Sequence, residues 1–116
     1  MRSGVLLKAA ARLRVVEESE TMEEVMKRLG KSENTVAYGL TEVENAVNLG
    51  AAEKLVIADS LLRDADDVQR LGLERMMHEV ENRNGTITVI STEHEAGTTL
   101  TALGNIVALL RFPTKF

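Results

Sequence analysis

Few side chains in this sequence have the chemistry to catalyse anything. Histidine, the usual general base near neutral pH, occurs twice, at His78 and His94. His94 lies in "STEHEAG", between Glu93 and Glu95. An imidazole flanked by two carboxylates could hold a divalent cation or relay a proton, and an enzyme built on this chain would be centred on Glu93, His94 and Glu95. The stretch also follows an apolar, strand-like run, where the functional loops of α/β folds gather. The plainer reading, which we prefer, is a polar turn whose Ser, Thr and Glu side chains cap the next helix. His78 falls in a helical run beside Glu79 and near Arg75, and reads as a surface residue. Asp64, Asp66 and Asp67 cluster at a helix start, where negative charge suits the helix dipole. There is no cysteine, which excludes disulfides and thiolate metal sites. No phosphate-cradling glycine loop, HExxH motif or spaced carboxylate pair stands out. These residues point to binding rather than catalysis, with no metal or other cofactor expected in this domain.

The elements that would position such residues are bounded by composition. The chain has 116 residues and one proline, as a single domain would. Hydrophobic residues make up 44 % but aromatics only 3 %, so the core must be built from Val, Leu, Ile, Ala and Met. Few aromatics also means few platforms for stacking unpaired bases. A net charge of −4 argues against a dedicated duplex binder, which needs concentrated Lys and Arg. Lys8, Arg12 and Arg14 form one basic group and Lys27, Arg28 and Lys31 another; both read as solvated helix faces. No apolar run approaches the roughly 18 residues of a membrane span, and no signal-peptide pattern opens the chain. A cytoplasmic domain without a membrane partner is expected.

Hydrophobic spacing then orders the elements. Val5, Leu6, Ala9, Leu13 and Val16 predict a helix over the first fifteen or so residues. Met22, Val25, Met26 and Leu29 predict a second helix over 21–30, with Gly30 as its stop. "TVAY" (35–38) is a short β-prone run closed by Gly39. "TEVE" offers a capping box, Thr41 as N-cap and Glu44 three residues on, for a helix that buries Val43, Ala46 and Val47 and ends at Gly50. "KLVIA" (54–58) and "TITVI" (86–90) read as strands covered on both faces. Between them a polar "DSLLRDADD" leads into a helix carried by Leu73, Met76, Met77 and Val80, with a break expected at Gly72. "TLTAL" predicts a short helix stopped by Gly104, and "IVALL" (106–110) a final strand. Strands alternating with helices imply an α/β fold: a three-layer α-β-α sandwich on a mixed sheet of about four strands, preceded by a helical N-terminal segment.

Two separated blocks, "VAYGLTEVENAVNLGAAEKLVIADSLLR" and "TITVISTEHEAGTTLTALGNIVALLRF", resemble in order the C-terminal domain of the Pelota family. These archaeal and eukaryotic ribosome-rescue factors are related to class I peptide-chain release factors. The resemblance implies that 35–116 is a domain like release-factor domain 3, and that 1–34 is a helical linker or tail of a preceding domain. Asn105 stands where a second glycine is common in the family.

The resemblance also implies a fold shared with ribosomal proteins that bind kink-turn RNA. There, a Gly-x-Asn-Glu segment opens a helix and a Lys follows three residues later; the Asn and Glu read sheared purine pairs and the Lys meets phosphate. Here Gly39 and Glu42 are kept, Thr41 replaces the Asn, and Asn45 replaces the Lys. Losing a bidentate amide and a phosphate-pairing cation removes both readout and anchoring. RNA binding through Gly39, Thr41, Glu42 and Asn45 is therefore read as vestigial, with a residual binder using Gly39, Glu42 and Lys31 as the alternative. In the family, a stalled ribosome is recognised together with an elongation-factor-1-alpha-type GTPase, and an iron–sulfur ribosome-recycling ATPase then splits the subunits. The C-terminal domain is a main docking surface for that ATPase, and Glu93, His94, Glu95 and Gly97 are the docking loop expected here. The metal-dependent endonuclease activity attributed to some members is placed in the N-terminal domain, so a divalent metal would belong to the full-length factor.

Overall fold

The computed structural model describes residues 18–31 and 35–113; the helix expected over the first fifteen residues lies outside them. The elements are α1 (18–30), β1 (Val36–Tyr38), α2 (Leu40–Asn48), β2 (Ala52–Ala58), α3 (Asp59–Asp64), α4 (Asp67–Asn82), β3 (Thr86–Ile90), α5 (Glu95–Ala102) and β4 (Ile106–Leu110). Four strands form one mixed sheet in the order β1-β4-β2-β3. β4 runs antiparallel to both neighbours, pairing Val36 with Leu109 and Leu55 with Ala108, while β2 and β3 run parallel with Leu55 opposite Ile87.

Alternation along the strands divides the core in two. Ala37, Leu55, Ile57, Ile106, Ala108 and Leu110 meet Val43, Ala46 and Val47 of α2 and Leu73, Met76 and Val80 of α4. Val56, Ala58, Ile90, Val107 and Leu109 turn the other way, onto Met22 and Val25 of α1 and Ala96 and Leu100 of α5. This is the expected three-layer sandwich. The unbroken apolar runs in β2 and β4 exist because a central strand buries both of its faces. Full burial of Leu55, Val56 and Ile57 stabilises the fold by roughly 1.5–3 kcal/mol each. α1 is also tied to the sheet by Arg28, whose Nη1 donates to the carbonyl oxygens of Thr35 (3.1 Å) and Leu110 (3.3 Å). Among the described residues no helix is long and apolar enough to cross a membrane.

Five local expectations are corrected. α2 has no side-chain cap: it starts at Leu40 with Gly39 as N-cap, leaving Thr41 inside the first turn. The helix entry is fixed by Gly39, whose N–H donates to the Ile106 carbonyl (3.1 Å) and whose φ of 86° suits only a residue without Cβ. The capping box lies instead on α4, where Asp66 accepts from the Gln69 N–H and Gln69 accepts from the Asp66 N–H. α4 runs unbroken through Gly72, because its buried stripe of Leu73, Met76 and Val80 outweighs one glycine. β3 is an edge strand, with Ile90 its one fully buried residue. Finally, part of the polar link folds as α3, and α5 begins at Glu95 rather than Thr99.

Candidate functional site

β1, β2 and β3 point the same way and β4 the opposite way. The C-terminal ends of the first three and the start of β4 therefore lie on one rim of the sheet. The start of α2, the 103–105 turn, the start of α3 and the 91–94 loop all emerge there, the end of an open α/β sheet where functional groups collect. Direct contacts join them. Gly39 N–H bonds the Ile106 carbonyl, Ala58 N–H bonds the Asn105 carbonyl (2.9 Å), and Asp59 bonds Thr92. A Cβ at Gly104 would sit 3.3 Å from the Gly39 Cα, so the turn and the helix entry press closely together. Asn105 adopts a φ of +71°, a left-handed conformation that asparagine tolerates better than most residues.

Both groups of residues singled out from sequence lie on this rim, at opposite ends. Gly39, Thr41, Glu42 and Asn45 are at the β1 edge, with the last three exposed. Lys31 is not beside them. It follows Arg28, which is bonded to Thr35 and Leu110 at the far end of β1 and β4. At the β3 edge, Glu93, His94 and Glu95 are exposed, whereas Gly97 is buried inside α5. A Cβ on Gly97 would overlap the Ser91 carbonyl oxygen and lie 2.6 Å from the Thr92 Cα. That glycine lets α5 close against the end of β3.

The expected capping of α5 by Ser, Thr and Glu side chains is absent. His94 is the N-cap residue and makes no side-chain cap bond. Ser91 Oγ accepts from the Glu93 N–H instead (3.2 Å), and both the Thr92 hydroxyl and N–H donate to Asp59 Oδ1 at 3.1 Å. Partial burial pushes the Asp59 carboxyl upward, but the Thr92 bonds and the Arg63 guanidinium outweigh it and hold it below its ordinary value. From the other layer, buried Glu18 accepts from the Ser91 N–H (3.4 Å). Two carboxylates on different helices thus pin the 91–94 loop. Asp59 could have been found as the first polar residue after a buried strand. Glu18 gave no signal, since its neighbours Glu17 and Glu20 look equally solvated in sequence.

The rim is acidic. Glu42, Asp59, Glu93 and Glu95 are joined by Arg63, which lies 3.8 Å from Asp59. Among the described residues no group of three or more His, Asp or Glu side chains is placed to hold a metal ion. The arrangement offers carboxylates, hydroxyls and one exposed imidazole on a fixed frame, suited to polar contacts with another macromolecule.

The model of eRF1 domain 3 matches residues 15–114. The chain belongs to the eRF1 domain 3 family. Within the wider resemblance, it is 40 % identical over 115 residues to a Pelota homologue of Methanococcus maripaludis, covering 99 % of this chain and 32 % of that one. An archaeal Pelota in a ribosome-bound model with ABCE1 is similar at 40 % identity and a TM-score of 0.81, over 99 % of this chain and 31 % of the other. Dom34 of S. cerevisiae, a translation termination-like factor of RNA quality control that interacts with Hbs1, gives 31 % identity and a TM-score of 0.81, over 85 % and 28 %. The chain spans about a third of the length of the curated relatives it matches. The likeness to Pelota expected from the two sequence blocks is borne out, and the residues matched to the family include α1 together with the rest of the sandwich.

Proposed function

We propose that this domain serves as a protein-docking module of a Pelota-type factor that acts in the cytoplasm in mRNA surveillance, stalled-ribosome recognition and ribosome recycling. Its partners are an iron–sulfur recycling ATPase of the ABCE1 kind and an elongation-factor-1-alpha-type GTPase of the Hbs1 kind, and it works by binding rather than by catalysis. The observation that carries this reading is the acidic rim. Where a kink-turn binder of the same fold needs an amide and a cation, this chain exposes Thr41, Glu42 and Asn45, and Lys31 sits at the other end of the sheet. Carboxylates there repel phosphate and suit a basic protein surface. The iron–sulfur ATPase and the ribosome-bound setting are supported by the similarity to the archaeal Pelota seen with ABCE1, and the GTPase by the similarity to Dom34.

The test uses the purified chain against both partners and against a kink-turn RNA. The expected result is retention of the ATPase in a pull-down and no salt-sensitive RNA shift; an RNA shift without ATPase binding rejects the proposal. A reversion adds a second reading. If RNA binding persisted, Thr41→Asn with Asn45→Lys would strengthen it by roughly 1–3 kcal/mol; the expected gain here is none.

A further inference from the structure

The corner between α4 and β3 reads "NRNGT" in the sequence (82–86), with an asparagine directly before a glycine. That pair carries a chemistry of its own. The backbone nitrogen of the residue after an asparagine can attack the asparagine Cγ, and glycine, without a Cβ, obstructs the attack least. Of the asparagines in this chain only Asn84 is followed by glycine. Asn84 is exposed, and its carboxamide makes no hydrogen bond with a described residue.

The nucleophile is in the opposite condition. Asn84 takes a φ of 65°, the left-handed end of α4, and the corner closes as a Schellman motif. The Gly85 N–H donates to the Val80 carbonyl at 2.8 Å, and the Asn84 N–H to the Glu81 carbonyl at 3.0 Å. The space around Gly85 is closed as well. A Cβ there would lie 2.7 Å from Val80 Cγ1 and 2.8 Å from the Glu53 carbonyl oxygen. Arg111, just past β4, clamps the same corner, its Nη2 donating to the Arg83 carbonyl. The proton that must leave the Gly85 nitrogen is therefore the one bound to Val80.

We propose that Asn84 is a site of spontaneous deamidation, held in check by the folded α4–β3 corner and released when that corner opens. In the open chain the Gly85 nitrogen gives up its proton and bonds to Asn84 Cγ. The side-chain nitrogen leaves as ammonia, and a cyclic imide remains. Water then adds at either ring carbonyl and opens the imide to aspartate or isoaspartate. Isoaspartate routes the main chain through Cβ, so the added carbon spoils the spacing of both Schellman bonds. Asn105 is the comparison within the chain: its φ of 71° is also left-handed, but the β-branched, fully buried Ile106 follows it. This site is independent of any docking partner.

The test ages the whole chain in mildly alkaline buffer, native and in urea, and compares the two by peptide mapping with isoaspartate detection. Isoaspartate is expected at Asn84 and not at Asn105. It should form roughly tenfold faster or more in urea, as for a corner whose opening costs about 1.4 kcal/mol or more. Arg111→Ala frees the Arg83 carbonyl and should raise the native rate severalfold while moving the urea midpoint little, as local opening would. Asn84→Gly keeps the left-handed turn and should abolish the product. Equal rates in the native and urea-unfolded chain overturn the protection, and no isoaspartate at Asn84 in urea overturns the site. A native rate that Arg111→Ala leaves unchanged, but that Asp66→Ala raises in step with its loss of stability, assigns the gate to global unfolding and overturns the local one.

Discussion

Asp59 and Gly97 determine the β3–α5 loop in opposite ways, one by a bond and one by an absence. Asp59 receives two hydrogen bonds from Thr92, and its folded pKa is lowered from an ordinary value of 3.8. A lowered carboxylate pKa gives stability that is fully present above the unfolded value and is lost as pH falls through the folded one. The Thr92 amide resonance should therefore titrate with a midpoint below 3.8 in the wild type, and Asp59→Ala should remove that titration. The same substitution should cost about 1–2 kcal/mol at neutral pH in urea unfolding. For Gly97→Ala two effects compete. Helix propensity favours alanine by roughly 1 kcal/mol, but the new methyl overlaps Ser91 backbone in a packed layer, and overpacking costs about 1–3 kcal/mol or more. Net destabilisation is expected, and a stabilised variant would disprove the close approach.

Among the helices, α4 shows how local signals are ranked. Its capping box at Asp66 and Gln69 is formed, while the similar pattern at Thr41 and Glu44 is not. Both patterns fit the sequence rule equally well. The difference is that α2 must begin where β1 stops pairing with β4, at Gly39, whereas α4 follows a two-residue link from α3 that takes part in no strand pairing. Asp66→Ala should lower stability by about 1 kcal/mol, and Gly72→Ala should raise it by up to about 1 kcal/mol. The double variant should unfold close to the wild-type midpoint. Glu24 belongs to the same scale: the Arg28 side-chain hydrogen bond holds its carboxyl below the ordinary range and braces α1 where it meets the sheet.

For the molecule as a whole, the important surface is the one α1 covers. Met22 and Val25 are 4 % and 0 % exposed and close the face made by Val56, Val107 and Leu109. A chain beginning at Thr35 would expose that face. Losing two such side chains forfeits roughly 3–6 kcal/mol, a large part of the stability of an ordinary domain. The shortened chain should bind a hydrophobic dye and unfold at much lower urea than the full one. An equally sharp transition at an unchanged midpoint would show that α1 is an accessory. The α1 layer also supplies Glu18 to the 91–94 loop, so the expected loss extends to order in that loop.

The sequence by itself determined the class of the fold, because apolar runs of strand length alternating with helical stripes can be buried in few ways. It located all four strands and the core faces of α2 and α4, since burial on a strand or helix repeats with the period of the backbone. It also marked Gly39, Thr41, Glu42, Asn45 and the Glu93–Glu95 stretch, whose residue types are visible without coordinates. Only the tertiary structure decided that these lie on one acidic rim with Lys31 at the opposite end, that Gly97 is buried, and that Glu18 and Asp59 hold the loop. Those facts depend on which strands are neighbours and which run parallel. Strand order is set by contacts between residues far apart in the chain, and spacing along the chain carries no record of it.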